Sequence, residues 1–291
     1  MRLDSKNETG RPGFWTKLSN RQRVWTMARW LVRWVLAGAH VLRGQVPRFW
    51  RVSPPLICRQ VIYDRMNGKF FSLKARDSVD LNLMGLIFDR NEYGLEKIAR
   101  RDELNAQYET IIGQNLTPLI VDCGAHCGIA TKFFAETYPQ ARIVAIEPDE
   151  DNVALAREIN GEGRITVLCA AVGNADGTGS LERQDRSFAH RINGAVGGET
   201  RILSINTLLD DECRRGARPF IVKIVIEGSE ENLFEDNTGW IDAFPLLIIE
   251  LHDGMLPRAA NARNFLREMG KRNRDFLYHG KNIFSLSNTL G

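Results

Sequence analysis

From about residue 113 the hydrophobic period of this chain changes repeatedly, and few folds accommodate that. Residues 117–124 (TPLIVDCG), 141–148 (ARIVAIEP) and 164–173 (RITVLCAAVG) are short, apolar runs of the kind that form buried strands. Between them, residues 129–138 (IATKFFAETY) and 149–160 (DEDNVALAREIN) carry helical spacing. Strand, helix, strand, helix, strand with short links predicts a parallel sheet covered on both faces, a doubly wound α/β fold. The pattern continues in residues 219–234 (PFIVKIVIEGSEENLF) and 244–254 (FPLLIIELHDG), and residues 275–288 predict a terminal hairpin turning at Gly280 and Lys281. Residues 183–201 (RQDRSFAHRINGAVGGETR) are polar and glycine-rich and read as a mobile loop near the mouth of a site.

Ahead of this body the sequence has a different character. The first 60 residues hold 12 Lys and Arg against 2 Asp and Glu, a net of +10, whereas the whole chain carries +3, so the remainder carries −7. In residues 20–44 the apolar run is divided by Arg29, Arg33 and His40, which excludes a spanning helix and a secretory signal. On a helical wheel Val24, Leu31, Val35 and Leu42 share one side, Arg29 and Arg33 lie opposite, and Trp25, Trp30 and Trp34 flank them. That pattern suits an amphipathic helix on an anionic membrane surface, and equally one packed on the main domain or on a homodimer partner. Residues 61–112 form a lead-in of short strands turning at Asn67-Gly68, then helical spacing over 80–112, and residues 113–291 form the main domain. Five scattered cysteines point to a reducing, cytoplasmic setting. Cys123 and Cys127 lack a second pair at ligand spacing, so no metal site is expected.

In a doubly wound sheet, ligands bind beyond the carboxyl ends of the strands. Those ends bring together Asp122 to Gly128, Glu147 to Asp149, Cys169 to Gly173, Lys223 to Glu230 and Glu250 to Asp253. The loop DCGAHCG has one close backbone approach fewer than the dinucleotide fingerprint and opens on an acid, so it suits a ligand without phosphates. Asp122 at the first strand end can hold a cationic amino-acid moiety, directly or through water, and Glu147 at the second can accept from ribose hydroxyls. Gly124, Ala125 and Gly128 in the loop, Pro148 after Glu147, and the small Ala170 and Ala171 where an adenine edge would lie complete the candidate cofactor set.

With these residues, VDCGAHCGIAT, IVAIEPDEDNVALAREIN, VLCAAVGNADGTGSL, INTLLDD, IVKIVIEGSE and LLIIELH in this order and spacing resemble the FkbM-type family of class I S-adenosylmethionine-dependent methyltransferases. The resemblance runs from about Tyr93 to the C-terminus. It implies a seven-stranded sheet with the last strand antiparallel, S-adenosylmethionine as cofactor, and methyl transfer to a hydroxyl of a sugar, glycan or small polar metabolite. The family pattern on the fourth strand has an aspartate where this chain has Val225, which leaves a catalytically silent binding or scaffold protein as the rival reading. Lys223, Glu227, Glu250 and His252 are the candidate catalytic residues, with Glu230 close by in sequence. A nucleic-acid methyltransferase is the weaker rival, because the body is acidic and no D/N-P-P-Y motif follows the fourth strand.

Overall fold

The computed structural model describes residues 19–21, 24, 25, 27, 28, 30–32, 47–54, 57–161, 163–183, 190–193, 199–255 and 257–289. The chain forms two compact units, Met1–Tyr93 and Gly94–Gly291.

In the first unit, β1 (Phe49–Arg51), β2 (Arg59–Asp64) and β3 (Lys69–Lys74) form an antiparallel sheet in that order. The β2–β3 link holds the expected Asn67-Gly68 turn. Asp64 fixes it by accepting from the backbone N–H groups of Met66 and Asn67 and from the Arg48 guanidinium. Phe49, Phe71 and Phe88 meet edge-on or tilted to form the unit's small aromatic core. The helical spacing over 80–112 is realised in pieces: α1 (Ser78–Met84), a π turn (Gly85–Asp89), a 3-10 turn (Leu95–Lys97) and α2 (Arg101–Gly113). Asn91, in the left-handed region at φ 55°, and the extended Gly94 interrupt what periodicity alone would continue. In the basic N-terminal segment Val24, Trp25, Leu31 and Val32 are helical and exposed, whereas Val35, Leu42, Arg29, Arg33 and Trp34 lie outside the described residues. Among the described residues no helix is long and apolar enough to cross a membrane.

The second unit is built on seven strands: β4 (Thr117–Cys123), β5 (Arg142–Glu147), β6 (Ile165–Cys169), β11 (Ala217–Ile224), β12 (Leu246–Glu250), β13 (Arg274–His279) and β14 (Asn282–Ser287). Their order is β13-β14-β12-β11-β4-β5-β6, with β14 antiparallel to both neighbours and β4, β5, β6, β11 and β12 mutually parallel. The sheet is the doubly wound one expected, and its seven strands with the last antiparallel are what the resemblance implied. Alternation along the strands sorts the two faces. Leu119, Val121, Val222, Ile224, Leu247 and Ile249 join one core with α5 (Ile205–Arg214), α6 (Glu230–Leu233) and α7 (Arg263–Met269). Asp122 and Lys223 face the other way, toward α3 (Ile129–Thr137), behind which stands α4 (Glu150–Asn160).

Two readings of the sequence need correction here. The run 164–173 is not one strand: β6 stops at Cys169 and β7 (Ala171–Gly173) enters a second, four-stranded sheet ordered β7-β10-β8-β9. Its other members are β8 (Gly177–Arg183), β9 (His190–Asn193) and β10 (Glu199–Ser204), so much of the segment read as a mobile loop is strand. Polar, glycine-rich composition hid it, because its regularity comes from main-chain pairing with β8, not from an apolar face.

Gly128, at φ 77°, starts α3 where it presses on α4: a Cβ there would stand 2.4 Å from Asn160 Nδ2 and 2.9 Å from Ala156 Cβ. Gly128→Ala is therefore expected to cost about 2–4 kcal/mol, combining left-handed backbone strain with overpacking. Gly216→Ala, at φ 84° but facing open space, should lose only the strain part. Urea midpoints of the two variants measure the difference; equal losses would contradict the packing explanation.

Candidate functional site

Because β4, β5, β6, β11 and β12 are parallel neighbours, their last residues, Cys123, Glu147, Cys169, Ile224 and Glu250, share one edge of the sheet. The strand order reverses direction between β4 and β11, and there the two chain exits touch. A Cβ on Gly124 (φ 73°) would lie 1.8 Å from the Val225 carbonyl oxygen, so only glycine fits. Val225 N–H in turn donates to the Cys123 carbonyl at 3.1 Å.

On the β4 side, the loop's own donors are spent inward. Gly124 and Ala125 N–H both reach the Ile146 carbonyl, at 2.9 and 3.0 Å, and Gly128 N–H reaches the Ala125 carbonyl. His126, left-handed at φ 49°, gives its N–H to Glu147 Oε2 at 2.9 Å. The backbone approaches that call for Gly124 and Gly128 are thus made by this chain itself. Asp122 is wholly buried: Thr131 Oγ1 donates to Oδ2 at 2.6 Å, and Lys223 Nζ stands 2.9 Å from Oδ1. Lys223 also donates to the Gly124 carbonyl at 2.8 Å and approaches that of Cys123 at 3.4 Å. It orients a carboxylate, as a strut between β4 and β11.

Glu147 keeps some capacity for a ligand. Oε1 accepts from Asp149 N–H at 3.2 Å and Asn152 Nδ2 at 3.1 Å, and His126 fills one place on Oε2, so three of about four acceptor positions are taken. Burial pushes this carboxyl above the ordinary range, against the pull of its three hydrogen bonds. Pro148 is half-buried beside it, and Ala170 and Ala171 are buried at the β6–β7 break, where Ala170 N–H donates to the Glu147 carbonyl. Cys123 and Cys127 are buried and in no disulfide, and burial pushes the Cys123 thiol up, away from thiolate chemistry.

On the β11–β12 side the structure gathers four titratable groups. His252 is 3% exposed; its Nδ1 lies 2.5 Å from Glu230 Oε1, and its Nε2 lies 3.8 Å from Glu227 Oε2 and 4.0 Å from Glu250 Oε1. Asn261, buried, donates from Nδ2 to the second oxygen of Glu230. Glu227 reaches inward from a left-handed backbone (φ 53°), a strain of about 1–2 kcal/mol at a strand exit. Burial disfavours the charged imidazole, but the Glu230 hydrogen bond and the charges of Glu230, Glu227 and Glu250 outweigh it and raise the His252 pKa. Burial also raises the Glu227 pKa; His252 pulls it down, and Glu250 and Glu230 push it up. Of the four candidate catalytic residues, Glu227, Glu250 and His252 come together; Lys223 is engaged with Asp122 and the Gly124 carbonyl and reaches Glu227 only through its charge, which also pulls the Glu227 pKa down. Glu230 was weighed from its spacing alone. Asn261 carried no sequence signal, being 31 residues from the group it supports.

No family model and no curated protein matches the chain. Solved structures do. The plantazolicin methyltransferase BpumL in complex with SAH is 10% identical, with 66% of this chain and 63% of that chain covered and a TM-score of 0.30. Precorrin-6y C5,15-methyltransferase from Geobacter metallireducens GS-15 is 12% identical, over 66% and 92% of the two chains, at a TM-score of 0.33. The fibrillarin/Nop5p complex gives 12%, 58% and 70%, and 0.34. Likenesses this distant carry no argument about ligand or reaction.

The Asp122–Lys223 pair makes a stability claim that can be tested by itself. Lys223→Met leaves a wholly buried carboxylate without its cation and is expected to lose about 3–5 kcal/mol. Adding Asp122→Asn removes the stranded charge, so the double variant should be more stable than Lys223→Met alone in urea unfolding. Strictly additive losses would contradict direct pairing.

Proposed function

We propose that this chain is an S-adenosylmethionine-dependent methyltransferase that acts on a hydroxyl oxygen of a sugar, glycan or other small polar metabolite. The observation that carries the reading is the reversal of strand order between β4 and β11, with an incompletely satisfied Glu147 on one side of it and the His252 cluster on the other. The donor residues fit unequally. Glu147 has an acceptor position left for a ribose hydroxyl, and the small side chains of Ala125, Ala170 and Ala171, with Pro148, form the surface against which we place the base. Gly124 and Gly128 shape the loop. Asp122, with both oxygens engaged, acts through Lys223 and the loop backbone and not as a direct ligand.

The bound cofactor supplies an electrophilic methyl group whose carbon–sulfur bond breaks with its electron pair going to sulfur. The residues of this chain align the acceptor and take its proton. His252 Nε2, flanked by Glu227 and Glu250, is the base, and the two carboxylates offer acceptors to neighbouring hydroxyls of a polyol. This cluster supports a working enzyme over the rival reading of a silent protein: Val225 stands where the family pattern has a carboxylate, and three others surround the imidazole. The order and spacing of the six sequence motifs support placement with the FkbM-type proteins.

Titration calorimetry with S-adenosylmethionine tests the cofactor half. Glu147→Ala removes contacts of about 1.5–3 kcal/mol and should weaken binding roughly 10- to 150-fold. Absence of binding by the wild-type protein would end the methyltransferase reading. Turnover against a panel of sugars and small hydroxylated metabolites, with thermal melts alongside, tests the other half. The expected pattern is wild-type activity, strong loss in His252→Ala and little gain in Val225→Asp. An inactive wild type restored by Val225→Asp would favour the silent protein.

The N-terminal segment supports a further reading, attachment to anionic membrane surfaces through residues 20–44. Val24 and Trp25, and Leu31 and Val32 about two helical turns on, are 68%, 64%, 54% and 57% exposed, and the segment around them is basic. Full-length protein should co-sediment with phosphatidylglycerol vesicles at low salt, and Trp25→Glu/Leu31→Glu should abolish this without changing cofactor affinity. Indifference of the wild type to the vesicles would point instead to a helix packed on protein.

A further inference from the structure

Among the described residues four carboxylates are essentially wholly buried: Asp64, Asp80, Asp122 and Glu230. Three of them meet a permanent cation, Arg48, Arg76 and Lys223 respectively, at 2.9–3.1 Å. In each of these pairs the carboxylate faces a side chain that is cationic at neutral pH, as a structural ion pair requires. Glu230 is the exception. Its partners are the His252 imidazole and the Asn261 amide, neither of which carries a permanent charge. A buried carboxylate facing a histidine is fully compensated only when the imidazole gains a proton.

We propose that Glu230, buttressed by Asn261, is the positioning residue that holds a proton on Nδ1 of His252, so that Nε2 is the atom that accepts the proton of the substrate hydroxyl. The geometry sets the roles. An ionised carboxylate is an acceptor only, so at 2.5 Å from Glu230 the Nδ1 atom must carry the hydrogen. Asn261 reinforces this by donating Nδ2–H to the other Glu230 oxygen, and its Oδ1 faces Glu231 N–H at 3.4 Å, which ties it to the start of α6. Nε2 then lies toward Glu227 and Glu250, beyond hydrogen-bond distance of both, with the lone pair that the reaction needs.

The proton balance closes within the cluster. As the hydroxyl oxygen bonds to the methyl carbon, its hydrogen passes to Nε2. The resulting imidazolium is stabilised by Glu230 through the Nδ1–H bond and by Glu227 and Glu250 through charge. The charged groups facing His252 are Glu230 from α6, Glu227 from the β11 exit and Glu250 from β12. Lys281, on the hairpin between β13 and β14, stands 3.4 Å from Glu250. Glu227 and Glu250, 21% and 23% exposed at their side chains, are the members of the cluster placed to pass the proton to solvent.

The assignment relies on the methyltransferase reading only for the source of the proton, and its test needs no substrate. Full-length, ligand-free protein labelled with 15N in its five histidines is titrated by NMR, with His252 assigned from His252→Gln. The expected wild-type result is a neutral His252 protonated on Nδ1 and a midpoint above that of an ordinary histidine. Glu230→Gln keeps an acceptor for Nδ1–H but removes the charge, so the tautomer should persist while the midpoint falls by about one pH unit or more. A neutral wild-type His252 protonated on Nε2, or an unmoved midpoint in folded Glu230→Gln, would overturn the proposal. Because the wild-type tautomer is read without any substitution, a variant that fails to fold does not shelter it. If transfer activity is found, the acid limb of its pH profile should shift with the midpoint. If none is found while the tautomer stands, the function fails and the pair does not.

Discussion

The contact between the exits of β4 and β11 governs the arrangement of everything at the carboxyl edge of the sheet. Backbone meets backbone there, Gly124 against the Val225 carbonyl, and directly beneath, the register-paired Asp122 and Lys223 form a buried ion pair. Lys223 reaches over to the Gly124 carbonyl, so a charge in one strand fixes the turn that leaves the other. Once that joint is closed, the loop can turn its N–H groups to Ile146 and Glu147, and the chain beyond Val225 is thrown out through the left-handed Glu227 and Gly228 into the cluster around His252. The buried pair contributes little net stability beyond what an apolar pair would, but losing one partner is costly, and it specifies how the two halves of the site meet.

Much of this was legible in the sequence because strand and helix periods are local. The parallel strands, their order of appearance, the terminal hairpin and the convergence of five strand-end clusters follow from runs such as LIVDCG and LLIIELH read with the rule that ligands gather at carboxyl ends. The roles of individual side chains were less legible. Asp122 reads as a ligand-facing acid in one dimension, and the fold buries it against Lys223 and Thr131, because cross-strand register between residues 101 apart is invisible to spacing. Gly124 and Gly128 read as openings for a ligand and are explained by Val225, Ala156 and Asn160. β9 was missed because its strand character comes from its partner β8 and not from its own composition.

The chemistry is divided across the joint. On the β5 side are a buried acid with one acceptor position left and small residues near it. On the β12 side a histidine is ringed by three carboxylates, with Glu227 held in a strained backbone that aims its oxygen inward. Like charges gathered around a half-buried carboxyl, which burial, Glu250 and Glu230 together push up, and local strain at the same residue are a cost that packing alone does not require, and such costs concentrate where proton transfer takes place.

The most direct measurement is a crystal structure of the full chain soaked or grown with S-adenosylhomocysteine, the product that the proposed transfer leaves behind. If the carboxyl edge is the cofactor site, the ribose will hydrogen-bond to Glu147, the base will lie against Ala170 and Ala171, and the sulfur will face His252 Nε2 across the β4–β11 joint. Density for the ligand anywhere else on the molecule, or none at saturating concentration with Glu147 still holding only its present partners, would contradict that assignment.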